Sequence, residues 1–221
     1  MQMLQKKTIG VLGAVLLCMA GSGLLNTSIA ACKHKIGAVL SLTGAYGAHG
    51  VPISRAAQLG VEQVNEARAA LGVGCDLVYD VRDSNTQASL AVDAARKLID
   101  LEGVTALVGP ISSGITAPLL SSVTVEKDVL VVATASTSST FTQMAKRGET
   151  KGLFFRTLSS DSLQAVAAAM MAYQAGFRKP AIIYFNNDWG KNNQAGFIDA
   201  FKVLGGEIAN SVPFNPDQPT Y

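Results

Sequence analysis

From residue 35 onward, short apolar runs alternate with longer stretches in which apolar residues recur at every third or fourth position. Runs of the first kind predict β-strands, and stretches of the second kind predict amphipathic helices. The predicted strands are 36–40, 77–81, 105–108, 129–132, 153–156, 181–184 and 207–213. The predicted helices between them are 53–71, 86–101, 116–126, 161–176 and 190–204.

The strands are apolar on both faces, which is typical of a parallel sheet covered by helices on each side. Right-handed crossovers then make the arrangement a doubly wound α/β fold, in which ligands bind beyond the carboxyl ends of the strands. The loops that leave those ends are 41–50, 83–86, 109–116, 133–142 and 186–190. The polar stretch 146–152 predicts a boundary between two lobes, one at 31–150 and one at 151–221.

Residues 1–30 have the features of an export signal. Lys6 and Lys7 precede an apolar stretch at 8–20, and the sequence Ser-Ile-Ala at 28–30 offers a small-x-small cleavage site before Ala31. A membrane anchor would need about 20 continuous apolar residues, and polar residues interrupt the run from Gly21. A third alternative is lipidation, because residues 29–32 resemble a bacterial lipobox that ends in Cys32.

Removal of the signal leaves Cys32 and Cys75 as the cysteines of the mature chain. An even pair in an oxidising compartment predicts a disulfide. Each cysteine lies just before a predicted strand, and consecutive strands in such folds usually pair, which brings the two cysteines to the same end of the sheet. The competing interpretation is a lipid on Cys32, which makes Cys75 a free thiol.

Charge excludes one class of function. The chain has 18 Lys and Arg against 16 Asp and Glu, and the two excess charges are Lys6 and Lys7 in the signal segment. A neutral mature chain lacks the basic surface that nucleic acids or anionic membranes require. We therefore expect no nucleic-acid partner.

No catalytic, cofactor or metal motif is visible in the sequence. The glycines at 44, 47 and 50 follow the first strand, but their spacing does not match the dinucleotide fingerprint, and Tyr46 adds bulk where a pyrophosphate would approach. The two histidines are His34, at the start of a strand, and His49, which we interpret as a solvated loop residue. The sequence therefore predicts a protein that is not an enzyme and that uses no cofactor or metal.

Two loops rich in small hydroxyl side chains follow the third and fourth strands. Residues 109–114 lead into a helix whose start could bind an anion, although Ser112 or Ser113 could equally be an ordinary helix cap. Six of the eight residues at 133–140 carry a hydroxyl group. Such uncharged loops can bind a small carboxylate, and Tyr46 and Trp189 could close apolar walls over the rest of the ligand.

Five segments, in order, resemble the leucine/isoleucine/valine-binding family of periplasmic substrate-binding proteins. They are IGAVLSLTGAYG at 36–47, DVRDSNTQ at 80–87, ALVGPISS at 106–113, FRTLSSDSLQ at 155–164 and NNDWG at 186–190. The resemblance implies a type I periplasmic-binding fold with two doubly wound parallel-sheet lobes. It also implies a role in the periplasm as the substrate-binding component of an ABC transporter, whose partner is a membrane permease.

The resemblance also implies a ligand site. Ser113 and the backbone around Ile111 and Ser112 would bind the carboxylate of an amino-acid-like ligand, together with Thr137. The carbonyl of Ala135 would accept from the ammonium group, and the neighbouring Ser136 belongs to the same loop. Tyr46 and Trp189 would line the two lobes. Relatives bind branched-chain amino acids, other amino acids, amides or aromatic acids, so the resemblance does not fix the ligand.

The family's second lobe continues beyond the point that corresponds to Tyr221, so we expect the second lobe here to be incomplete. A sensory ligand-binding domain of a receptor is the alternative function, because the same fold serves in receptor ectodomains.

Overall fold

The structure, a computed structural model, describes residues 32–215, within which seven strands and six α-helices alternate. The predicted signal segment at 1–30 lies outside the described residues. Between residues 32 and 215, no helix is both long enough and apolar enough to cross a membrane.

Five parallel strands form the first sheet, in the order β2-β1-β3-β4-β5. Their bounds are Lys33–Leu40 (β1), Asp76–Asp83 (β2), Ala106–Val108 (β3), Leu130–Ala133 (β4) and Phe154–Arg156 (β5). The expected doubly wound parallel arrangement is confirmed. One detail differs from the sequence-based boundary at 150/151, because β5 lies after that boundary and yet pairs with β4 in the first sheet.

Four helices cover the first sheet: Gly47–Ala70 (α1), Ala88–Arg96 (α2), Ser113–Leu119 (α3) and Ser139–Lys146 (α4). α1 begins six residues before the predicted start at Ile53, and α2 and α3 each continue into a wider π-helical turn, at Lys97–Leu101 and Leu120–Thr124. α3 begins three residues earlier than predicted, because Ser112 has an extended backbone and its carbonyl accepts from the N–H groups of Ile115 and Thr116.

The core of the first sheet is made of aliphatic side chains from the strands and from the faces of α2 and α3. Val39, Leu107 and Val131 are almost completely buried in adjacent strands, and they pack with Leu98 and Leu119 from the helices. Burying apolar side chains of this size contributes about 1.5–3 kcal/mol each. The short apolar runs of the sequence therefore become the centre of the sheet.

A second, two-stranded parallel sheet follows β5. Its strands are Ala181–Phe185 (β6) and Asn210–Phe214 (β7), and its helices are Ser162–Gln174 (α5) and Asp188–Val203 (α6). In the described part of this region, the fully buried hydrophobic residues are Ala165, Ala169 and Phe201.

Cys32 and Cys75 are disulfide-bonded, as the sequence predicted. The register of the first sheet explains the pairing. Lys33 lies opposite Asp76 in the parallel β1–β2 pair, so the residues that precede these two lie side by side.

Candidate functional site

The strand order of the first sheet reverses between β1 and β3. In doubly wound sheets, the loops after two neighbouring strands diverge where the order reverses, and this is where ligands bind. A cavity of about 460 Å³ lies at this point, at the carboxyl ends of the strands. Its lining residues are Tyr46, His49, Ile53, Ile111, Ser112, Ser113, Ala135, Phe185 and Trp189.

Six of the eight ligand-binding residues suggested by the sequence line this cavity. They are Tyr46, Ile111, Ser112, Ser113, Ala135 and Trp189. The other two, Ser136 and Thr137, do not line it, and each has a different environment.

Ser136 is completely buried beneath the crevice. Its hydroxyl lies 2.6 Å from the hydroxyl of Thr116 and within hydrogen-bond distance of the carbonyl oxygens of Pro110 and Ile111. In this position, Ser136 joins the loop after β4 to the loop after β3 and fixes the spacing of the two.

Thr137 bonds to the second region of the chain. Its hydroxyl donates to Oδ2 of Asp161 at 2.5 Å, and Nδ2 of Asn193 donates to the same oxygen at 3.3 Å. A ligand carboxylate would have to compete with Asp161 for the hydroxyl proton of Thr137. The sequence could not show this contact, because Asp161 follows the boundary between the two sheets.

Ser112 and Ser113 present the polar end of the cavity. Ser113 is 2% exposed, and its oxygen accepts from the N–H of Ser138 at 3.2 Å, so its own proton can be donated to a ligand. Within residues 32–215, the hydroxyl of Ser112 makes no hydrogen bond, and it does not cap α3. Both hydroxyls can therefore donate into the cavity.

The loop that carries Tyr46 is held by Asp83 at the end of β2. Oδ1 of Asp83 accepts from the N–H groups of Leu42, Thr43 and Asn85 at 2.8–3.2 Å, and Oδ2 accepts from the Thr43 hydroxyl at 2.5 Å. Partial burial by itself would raise the pKa of Asp83, but the hydrogen bonds outweigh it, so that the pKa of this carboxyl lies below its ordinary value.

Tyr46 and His49 form the wall on the side of the first sheet. The Tyr46 N–H donates to the Thr86 hydroxyl at 3.1 Å, and the Tyr46 ring lies 6.4 Å from the His49 ring, centroid to centroid. His49 is exposed, as the sequence predicted, but it lies in the first turn of α1 rather than in a loop, and it also lines the cavity. The signal that could have found it is its spacing of three residues from Tyr46, which puts both side chains on one face of a helical segment.

Phe185 and Trp189 form the opposite wall. Their ring centroids lie 6.2 Å apart, with the ring planes at 58°. Gly190 allows the start of α6 to lie against the end of β6, since a Cβ on Gly190 would come within 2.1 Å of the Phe185 carbonyl oxygen. Asn187 accepts from the Gly190 N–H at 2.8 Å and caps α6. Sequence reasoning missed Phe185, which is the last residue of an apolar strand.

Within residues 32–215, one group of metal-ligand residue types has its ligand atoms within 4.8 Å of one another, namely Cys32, His34 and Cys75. Both sulfurs are used in the disulfide, so they are not thiolate ligands.

The family model for periplasmic binding proteins matches residues 33–221. The chain is 33% identical over 169 residues to the Leu/Ile/Val-binding protein BraC3 of Rhizobium johnstonii, a match that covers 76% of this chain and 42% of that protein. It is 30% identical to the chemotactic signal transduction system substrate-binding protein BasB of Halobacterium salinarum, covering 81% of this chain and 43% of that protein.

Solved structures show the same fold. The leucine-binding protein LivK of Thermotoga maritima matches with a TM-score of 0.68 and 26% identity, over 85% of this chain and 50% of that chain. A solute-binding protein of an ABC transporter from Rhodopseudomonas palustris, solved with 3,4-dihydroxybenzoic acid, matches with a TM-score of 0.65 and 19% identity, over 83% of this chain and 47% of that chain.

The chain thus spans less than half the length of these two curated relatives, and about half of the solved chains. The family consists of solute-binding proteins rather than enzymes. With its model matched from residue 33 to residue 221 and its type I fold, the chain belongs to the periplasmic binding protein family.

Proposed function

We propose that this chain is the periplasmic ligand-binding component of an ABC transporter and that it binds a small amino-acid-like solute for delivery to a membrane permease. Branched-chain amino acids are the first candidates. The observation that carries the proposal is the cavity at the carboxyl ends of β1 and β3, which is lined both by the hydroxyl residues Ser112 and Ser113 and by apolar and aromatic side chains.

The polar end suits a carboxylate. Ser112 and Ser113 each have a hydroxyl proton available, and hydrogen bonds to a charged group contribute about 1.5–3 kcal/mol. The carbonyl of Ala135, at the same cavity, is an acceptor for an ammonium group. Thr137 can join the carboxylate contact only by giving up Asp161, so its contribution is smaller than that of Ser113.

The apolar end suits an aliphatic side chain. Ile53 and Ile111 lie on one side of the cavity, and Phe185 and Trp189 on the other. The similarity to proteins named for leucine, isoleucine and valine binding supports the same ligand class.

The test is an NMR titration of the ¹⁵N-labelled chain with L-leucine, L-isoleucine and L-valine, a method that also detects weak binding. The amide signals of Ser112, Ser113 and Ala135 and the indole signal of Trp189 should shift. Ser113→Ala should weaken binding by roughly tenfold to a hundredfold, and Thr137→Val by less.

Ser121→Ala is the matched control, because its exposed hydroxyl bonds only to backbone carbonyls within its own helical segment. The carboxylate assignment is wrong if Ser113→Ala and Ser121→Ala bind all three amino acids like the wild type.

A ligand-sensing role is the second candidate, favoured by the similarity to BasB, whose name places it in chemotactic signal transduction. Deletion of the coding sequence separates the two roles. Loss of radiolabelled leucine uptake supports transport, whereas normal uptake with lost movement toward leucine supports sensing.

A further inference from the structure

A second cavity of about 590 Å³ adjoins the first, and nothing in the function proposed above uses it. The two cavities share Tyr46, Ser112 and Phe185. The remaining residues that line the second cavity are Gly44, Ala45, Asn85, Thr86, Gln87, Ala88, Gly114, Ile115 and Asn187. We name it the amide chamber, after the three side-chain amides of Asn85, Gln87 and Asn187.

We propose that the amide chamber binds the uncharged amide part of a ligand, so that the preferred ligand is an amino acid extended through its nitrogen by a peptide bond. This inference rests on the proposed function, because the carboxylate and side chain of that amino acid occupy the first cavity. The chemical class is therefore an N-acylated apolar amino acid, such as N-acetyl-L-leucine.

Asn187 offers a hydrogen-bond donor to such a ligand. Its Oδ1 accepts from the Gly190 N–H at 2.8 Å, so the free hydrogen-bonding group of its side chain is the NH₂ donor, which has no partner within residues 32–215. Oδ1 of Asn85 lies 3.0 Å from the Thr43 hydroxyl, but the single proton of that hydroxyl is donated to Asp83, so the Asn85 amide keeps hydrogen-bonding capacity for a ligand. The NH₂ donor of Asn187 suits a ligand carbonyl oxygen.

Gln87 supplies both a donor and an acceptor. It occupies the N-cap position of α2, where Ser, Thr, Asp and Asn are preferred, and its side chain does not cap the helix. The amide group of its side chain makes no hydrogen bond to any residue in the described part of the chain, whereas its backbone N–H donates to the Ser84 carbonyl. A peptide group offers one N–H and one C=O, which match the two ends of a glutamine amide.

Charge argues against an ionised group in the chamber. The described residues that line it include no Asp, Glu, Lys, Arg or His. An ion there would lose hydration without gaining an opposite charge, whereas an amide exchanges water for direct hydrogen bonds.

The two cavities adjoin closely enough for one N-acylated amino acid. Ser112 lines both, so a ligand whose carboxylate is bound at Ser112 and Ser113 lies at the boundary between them. The carbonyl carbon of an acyl group lies about 1.33 Å from the nitrogen that carries it, so the acyl group extends the ligand by one amide unit.

The test compares L-leucine with N-acetyl-L-leucine by NMR titration of the whole chain and of three variants. Gln87→Ala removes the amide, and Gln87→Met removes it while keeping the length of the side chain. Gln58→Ala is the matched control, because Gln58 is an exposed glutamine in α1 that bonds to Glu62 and lines neither cavity. Equal melting temperatures show that the Gln87 variants are folded, as expected for a side chain that caps nothing.

The wild type and Gln58→Ala should bind N-acetyl-L-leucine roughly two- to tenfold more tightly than L-leucine, the effect of a neutral hydrogen bond. Both Gln87 variants should lose this preference and keep the wild-type affinity for L-leucine. Equal affinity of the wild type for both ligands, or a preference that survives in both Gln87 variants, overturns the inference and leaves the proposed function in place. If the wild type binds neither of the two ligands, both this inference and the proposed function are wrong.

Discussion

The region built on the first sheet, residues 33–156, and the region built on the second sheet, residues 157–215, form opposite walls of one crevice but differ in how they are stabilised. The first has five paired strands and a continuous core of aliphatic side chains. The second has two strands, and its described residues include exposed apolar side chains such as Leu163 at 79%, Met171 at 70% and Ile183 at 74%.

Within the described residues, this difference means that the two walls of the crevice rest on cores of different size. Ser112, Ser113 and Ala135 lie on loops anchored in the first core, whereas Phe185 and Trp189 belong to the second region. Regions with fewer buried apolar contacts open more readily, so in the chain as given the second region should exchange its amide hydrogens faster than the first.

The largest effect should come from removing a buried ring in either core. Phe141 packs on Phe154 at 4.9 Å in the first region, and Phe201 packs between Tyr173 and Phe197 in the second. Phe141→Ala should lower the free energy of unfolding by about 3–5 kcal/mol. Phe201→Ala should accelerate amide hydrogen exchange in α5 to β7 and leave β1 to β4 protected.

Phe155→Ala, at a residue that is 56% exposed, is the control and should cost much less than Phe141→Ala. If Phe201→Ala accelerates exchange equally in both sheets, the two regions unfold as one unit, and the proposed difference in their stability is wrong.

The second-largest loss of stability should come from removing the disulfide, which joins the starts of β1 and β2 in the first region. The paired change Cys32→Ser with Cys75→Ser opens a loop of about 43 residues and should lower the free energy of unfolding by roughly 2–4 kcal/mol. Urea unfolding checks this, with the dithiothreitol-treated wild type as a second measure. Equal urea midpoints for oxidised wild type and variant would contradict it.

A smaller effect should come from a contact that joins the two regions. The Thr140 hydroxyl donates to Oδ1 of Asp188 at 2.9 Å and accepts from Asn192 at 2.9 Å, while Oδ2 of Asp188 is buried with no partner among the described residues. Thr140→Val should therefore cost about 1–3 kcal/mol and should accelerate exchange in α6 before it does so in β4.

Thr105→Val is the control for this change, because the Thr105 side chain is exposed and makes no hydrogen bond within residues 32–215. If both threonine variants leave exchange in α6 unchanged, the contact does not couple the regions.

The smallest effect should be the pH response of Asp83, within the first region. Its pKa is depressed in the folded state, so its stabilising contribution is present above the unfolded pKa of about 3.9 and is lost as the pH falls through the folded value. Asp83→Asn should cost about 0.5–1 kcal/mol near pH 7, since exposure weakens the interaction. The cost should shrink below pH 4, as thermal unfolding at pH 7 and pH 3 would show; an identical cost at both values would contradict the assignment.

Most of the fold followed from the alternation of apolar runs and amphipathic stretches, because buried parallel strands need apolar residues on both faces. The early start of α3 at Ser113 did not follow, since a serine that caps a helix and one that begins it look alike in sequence. The assignment of β5 to the first sheet depends on pairing with β4, which no local pattern encodes.

The sequence predicted which loops form the site, because those loops follow the carboxyl ends of the strands. It could not predict which hydrogen-bond partner each hydroxyl group in those loops has. Ser113, Ser136 and Thr137 are all small hydroxyl residues in loops at the carboxyl ends of the strands. Ser113 lines the cavity, Ser136 bonds to the Pro110 carbonyl beneath it, and Thr137 bonds to Asp161. Only the three-dimensional arrangement of carbonyls and carboxylates separates these three outcomes.

Gly190 sets the width of the crevice. The helix that carries Trp189 can lie against the end of β6 only because residue 190 has no side chain, and any Cβ there would meet the Phe185 carbonyl. A bulkier residue would push the start of that helix outward and widen the mouth of the crevice. Substitution of Trp189 by another aromatic residue can therefore change the ligand preference. Residue 190 must stay a glycine if the crevice is to keep its width.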